Sequence, residues 1–279
     1  FERISSGSLV QRSGALNPFG GISCGDEHCV QDAVDWDSDG DIDLVVGTVN
    51  GNVHYFERIS NTSLVERIGA GSNPFDVISS SNLWNTRPQA VDWDNDGDLD
   101  LVMGMSGETS SQWMISTSRQ RAASQAGNPT SGYLQYFERI SSGSLVQRSG
   151  ALNPFGGISC GDEHCVQDAV DWDSDGDIDL VVGTVNGNVH YFERISNTSL
   201  VERIGAGSNP FDVISSSNLW NTRPQAVDWD NDGDLDLVMG MSGETSSQWM
   251  ISTSRQRAAS QAGNPTSGYL QYFERISSG

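Results

Sequence analysis

Twenty of the 37 acidic residues in this chain are aspartates that lie in four runs of the form Asp-x-Asp-x-Asp-Gly-Asp-x-Asp. The first run holds Asp35, Asp37, Asp39, Asp41 and Asp43, and the second Asp92, Asp94, Asp96, Asp98 and Asp100. The third holds Asp171, Asp173, Asp175, Asp177 and Asp179, and the fourth Asp228, Asp230, Asp232, Asp234 and Asp236. Carboxylates at the first, third and fifth positions can converge on one side of a tight loop, and the glycine at the sixth permits the sharp turn. A backbone carbonyl at the seventh position and a carboxylate at the ninth complete an all-oxygen donor set. Such a set suits Ca²⁺, which takes about six to eight oxygens. The spacing predicts one Ca²⁺ per run, four in the chain. Mg²⁺ fits less well, because it keeps several waters. The competing reading is an acidic β-turn without an ion, in which five clustered carboxylates would repel one another. An EF-hand is excluded, because its twelfth position needs Glu and here is Val46, and because the flanks read as strands.

The elements that must hold these loops come from internal repetition. Phe1–Tyr136 recurs without change as Phe137–Tyr272, and Phe273–Gly279 begins a third copy. Units 1–136 and 137–272 are therefore the predicted repeat units, with 273–279 as an overhang. Each unit contains two diverged halves. Both open on Phe-Glu-Arg-Ile-Ser, pass Asn-Pro-Phe (17–19 and 73–75) and reach Ala-Val-Asp-Trp-Asp before the acidic run. One half reads as a four-stranded meander: Val30–Trp36, Ile42–Thr48, Val53–Ser60 and Leu64–Ile68, with Asn50-Gly51 as a hairpin turn. A sheet this small cannot bury both faces alone, so stacked blades are expected. The fold class predicted is all-β, with four-stranded antiparallel propeller-type blades in tandem. They form either an open array or filament segment or a closed four-bladed ring. In the ring, Leu9–Ser13 would complete the last blade. Perfect identity and the lack of atypical end repeats favour the array. The sequence opens without Met or a leader, as a mature piece or a window on a longer protein would.

Asp-Trp-Asp-x-Asp-Gly-Asp-x-Asp-Leu-Val-x-Gly, followed by Gly-x-x-x-Tyr-Phe-Glu, resembles the FG-GAP/VCBS repeat family, to which integrin-α-like propellers and some fungal lectins belong. The resemblance covers all four half-repeats. It implies four-stranded blades with calcium in the loop between the first two strands, held by the Asp positions named above. Propellers of that family commonly have more blades than the four this chain can supply, and half the blades here carry a long insert.

The remaining candidates bear on setting and partners. Cys24 and Cys29, repeated as Cys160 and Cys165, read as local disulfides; the rivals are a transition-metal site that adds His28, and free thiols. Asn61 and Asn197 head N-glycosylation sequons on a predicted turn. The insert from about Ser106 to Ser131 carries Trp113, Arg119 and Arg121, with Trp249, Arg255 and Arg257 in the second copy. These are candidate contact anchors, the alternative being an insert folded over its own blade. Trp36 and Trp93 read as core. The net charge of −22, with no Lys among 15 basic residues, argues against nucleic acid and anionic membranes as partners. No apolar stretch approaches the ~20 residues of a membrane helix. No catalytic constellation emerges, so no enzyme is expected. The expected protein is an extracellular or cell-surface, calcium-stabilised repeat with a structural, filament-forming or adhesive role, self-associating; the alternative is a carbohydrate-binding propeller lectin. A glycan is thus a second candidate partner.

Overall fold

The computed structural model describes residues 2–3, 9–23, 29–69, 71–78, 84–106, 132–141, 143–158, 160, 165–205, 207–212, 214, 220–242, 269–273 and 275. It is all-β, with short 3₁₀ turns and no α-helix among the described residues. Among the described residues no helix is long and apolar enough to cross a membrane.

A short hairpin comes first, β1 (Glu2–Arg3) and β2 (Leu9–Val10). Four blades follow, and we label them A to D. Blade A is β3 (Cys29–Val34), β4 (Asp43–Thr48), β5 (Val53–Ser60) and β6 (Ser63–Arg67), paired in sequence order and antiparallel throughout. Blade B is β7 (Trp84–Val91), β8 (Asp100–Ser106), β9 (Tyr133–Arg139) and β10 (Leu145–Arg148). Blade C repeats A as β11 (Cys165–Val170), β12 (Asp179–Thr184), β13 (Val189–Ser196) and β14 (Ser199–Arg203). Blade D repeats B as β15 (Trp220–Val227), β16 (Asp236–Ser242) and β17 (Tyr269–Phe273), with three strands among the described residues. The blades are arranged as a four-bladed propeller, and residues from the first strands of all four line one cavity, among them Val30, Arg87, Val166 and Arg223.

Local chemistry accounts for the meander. Asn50-Gly51 turns β4 into β5, with Gly51 at φ 85°. The second strands are buried on both faces, so they read as unbroken apolar runs such as Leu44-Val45-Val46. Strand bounds differ from those predicted by one or two residues, with the first strand starting at Cys29 and the fourth running Ser63–Arg67. The first strand ends at Val34, because Asp35 and Trp36 already turn into the acidic loop, and the second starts at Asp43 instead of Ile42. The repeat seam at 136/137 falls inside β9, so blade B takes its last strand from the second sequence copy. Among the described residues β2 pairs with β1 and β17 pairs with β16, and the ring alternative, in which Leu9–Ser13 completes the last blade, is not formed there.

Three apolar cores lie between successive blades. Each is plugged by the phenylalanine of an Asn-Pro-Phe turn. Phe75 sits 4.6 Å from Trp36 and 5.9 Å from Tyr55. Phe155 takes the same place against Trp93 and Tyr136, and Phe211 against Trp172 and Tyr191. The sequence uses glycine where blades approach: a Cβ on Gly47 would lie 2.2 Å from the Thr86 carbonyl oxygen.

Candidate metal centres

Each acidic loop connects the first strand of its blade to the second. Its turn has two left-handed residues. The sixth-position glycines have φ between 94° and 98°, and Ser38, Asn95, Ser174 and Asn231 at the fourth position lie between 62° and 65°. Small polar residues tolerate that conformation best after glycine, which explains why Ser or Asn recurs there.

The turn draws carboxylates inward onto backbone amides. Asp35 accepts from the Asp39 and Gly40 amides at 3.1 and 3.0 Å, and Asp37 accepts from Asp39 at 3.2 Å. Asp92, Asp171 and Asp228 repeat this pattern. Ligand-bearing oxygens of Asp35, Asp37 and Asp39 lie within 4.8 Å of one another, as do those of Asp92, Asp94 and Asp96. In the other two loops the trios are Asp171, Asp173 and Asp179, and Asp228, Asp230 and Asp236. All donors are hard oxygens, as Ca²⁺ requires. The seventh-position side chains stand outside these trios. Asp41 instead faces the Arg58 guanidinium at 3.4 Å, and Asp177 faces Arg194 at 3.6 Å. That leaves their backbone carbonyls as the donors the spacing assigned to them. Partial burial, followed by neighbouring carboxylates, raises the pKa of Asp37, Asp94 and Asp173.

The ninth-position Asp is a structural hub that sequence reasoning treated only as a ligand. Asp100 is fully buried and accepts from the Tyr136 hydroxyl at 2.7 Å, the Arg139 amide at 2.7 Å and the Trp93 amide at 3.2 Å. Burial pushes its pKa up to about 6 despite those donors. Asp43 and Asp179 hold the equivalent bonds. The same arginines reach to the preceding blade. Arg139 stacks over Trp36 at 5.0 Å and donates to its carbonyl at 2.9 Å, and Arg275 does the same to Trp172. A blade's acidic loop is therefore gripped by an arginine whose own amide is fixed by the next loop's Asp. The signal for these roles was the recurring Tyr-Phe-Glu-Arg, which marked the repeat without revealing the contact.

The other predicted residues fall as follows. Cys160 and Cys165 form a disulfide with Cα atoms 5.2 Å apart. Cys29 is disulfide-bonded as well, and Cys24 lies outside the described residues. No free cysteine stands among the described residues, which overturns the transition-metal and free-thiol alternatives there. Asn61 and Asn197 occupy β-hairpin turns, but Asn197 also donates to the Asp94 carbonyl of blade B at 3.2 Å. Trp113, Arg119, Arg121, Trp249, Arg255 and Arg257 lie outside the described residues. Trp36 and Trp93 are core.

Four antiparallel sheets about one axis, each with an acidic loop between its first two strands, define a β-propeller of acidic-loop blades. Residues 35–103 and 171–239 match the family model for the FG-GAP-like repeat, and the chain thus carries FG-GAP-like repeats. No curated protein matches it.

Proposed function

We propose that this chain is an extracellular, calcium-stabilised repeat scaffold with a structural, filament-forming or adhesive role, which works by holding and binding instead of by catalysis. The observation that carries this reading is the linkage of each acidic loop to a blade joint. An ion bound by Asp35, Asp37 and Asp39 would set the loop whose Trp36 carbonyl takes the Arg139 clamp. Bound Ca²⁺ supplies the positive charge that lets the carboxylates share one small space. FG-GAP repeats commonly bind Ca²⁺ and are typically extracellular, and the Cys160–Cys165 bond suits an oxidising setting. Thermal unfolding with calcium and with excess chelator tests the reading. The melting temperature should fall by many degrees in chelator, and calorimetric titration should approach four ions per chain. Identical melting curves would remove calcium from the account.

A second reading, carbohydrate binding, is favoured by an open groove of about 530 Å³ between blades A and B. Asp37, Glu57, Asn73, Asp76 and Arg139 give it hydrogen-bonding groups, and Tyr55 gives it a ring. Retention on immobilised sugars, lost on Asp76→Ala, would support this reading, and passage through a broad sugar panel would remove it.

A further inference from the structure

We propose that the outer face of blade D is a docking surface for blade A of a second copy of this chain, so that copies join head to tail through a duplicate of the B–C joint. This deepens the scaffold reading and rests on it.

The two ends of the propeller expose side chains whose identical copies are buried inside it. At the B–C joint, Trp93, Leu134 and Tyr136 of blade B are 0%, 2% and 2% exposed. Their copies on blade D, Trp229, Leu270 and Tyr272, are 65%, 76% and 44% exposed. Across that joint Phe155 is 1% exposed, whereas its copy ahead of blade A, Phe19, is 52% exposed. Cys165 and Ala169 are buried, and their copies Cys29 and Ala33 are exposed. A groove lined by Phe19, Ala33, Ile42, Leu44 and Leu64 opens on that side of blade A. Exposed apolar surface gathered in one place marks an interaction site.

Sequence identity makes the match specific, because 137–272 repeats 1–136 without change. Every contact of the B–C joint therefore has both partners available again. Within the chain, the Trp93 indole donates to the Asn197 carbonyl, and Arg194 stacks over Trp93 at 5.4 Å. The duplicate would use Trp229 with Asn61 and Arg58. Close backbone approach repeats too. A Cβ on Gly104 would meet Gln167 of blade C at 2.2 Å, whereas one on its copy Gly240 would meet, among the described residues, only atoms of blade D, at 3.7 Å or more. Gly240 thus keeps open a space that blade D itself does not fill.

Closure within one chain is the rival occupant. The three joints A–B, B–C and C–D are all made, and the D and A faces still stand open. The third-strand place in blade D is already taken by the chain's own residues, since the Arg275 amide donates to Asp236. The copy of that segment at β1 is therefore not needed there.

Complementary blocking tests the proposal, in calcium and with protein free of N-glycan, because a sugar on Asn61 would sit in the joint. Phe19→Asp blocks the A face and Gly240→Leu blocks the D face; both sites are open in the monomer, so each variant should match the melting temperature of wild type diluted until it is monomeric. Sedimentation at rising concentration should show wild-type oligomers and monomers of either variant alone. A 1:1 mixture of the variants should give a heterodimer, because one intact face of each kind remains. Monomers in every sample would mean closure within the chain and overturn the proposal. Oligomers of the single variants would mean unspecific adhesion and also overturn it. If a variant melts early, Trp229→Ser or Leu44→Asp replaces it in the same mixture. Monomeric mixtures with calcium-dependent melting would sink the joint alone, whereas heterodimers with calcium-independent melting would sink only the calcium role.

Discussion

Two aspartates of one loop should behave in opposite ways when removed. Asp100 is buried beneath three donors, from Tyr136, Arg139 and Trp93. A buried donor left without a partner costs about 1–3 kcal/mol, so Asp100→Ala should destabilise the protein by roughly 3 kcal/mol or more. Denaturant unfolding in excess chelator isolates that structural loss from any loss of metal. Asp96, four residues earlier, is exposed and accepts from the Asp98 amide, which water can satisfy in its place. Asp96→Ala should change chelator-state stability by no more than about 0.5 kcal/mol while weakening calcium about tenfold or more, because the count of charged ligands sets affinity. Equal behaviour of the two variants would show that the ninth position is only a ligand. The difference was not legible in the sequence, where both are Asp in one motif. It depends on strand pairing: β4 and β5 set Leu44 opposite Phe56, and that register carries the Tyr55 hydroxyl and the Arg58 amide to Asp43.

Individual strands were more legible than their closure. The second strands show no alternation because both of their faces are covered, and β-branched content and the Asn-Gly turn located β4 and β5. The Asn-Pro-Phe turns were read as repeat markers, and their role as plugs between blades needed a third dimension. Glycine at the close approach is the clearest test at this scale. Gly104→Ala places a Cβ against Gln167 and the Cys165 carbonyl, at 2.2 and 2.8 Å. Overpacking of that kind costs about 1–3 kcal/mol. The same substitution at Gly240 meets nothing closer than 3.7 Å and should leave unfolding of the isolated chain unchanged. Paired denaturation curves of the two variants, which differ only in the blade they alter, check this. A similar loss in both would mean that the D face is covered in solution.

At the scale of the whole molecule the problem is charge. The chain carries a net −22, and four Ca²⁺ ions would bring it to −14, which eases self-repulsion. Not all the acids lie in metal loops, and those near the axis supply a separate pH dependence. Asp32 accepts from the Ala90 amide at 2.6 Å, and Asp168 accepts from the Ala226 amide. Burial raises both pKa values above 3.8, against the opposing effect of those backbone donors, and the two carboxylates also repel each other. The unfolded chain gives up these protons near 3.8, whereas the folded chain holds them to higher pH. In that window the folded state binds more protons, so this contribution is present at low pH and is lost as pH rises through the folded values. Asp32→Asn keeps an oxygen for the Ala90 amide and removes the charge. With calcium saturating throughout, so that loop occupancy is the same in both proteins, the melting temperature of Asp32→Asn relative to wild type should increase from pH 4 to pH 7. The variant should match or trail wild type at the acid end and exceed it at the neutral end. A constant difference across that range would mean that Asp32 ionises as freely in the fold as in the unfolded chain, and that the axis tolerates its paired charges without cost.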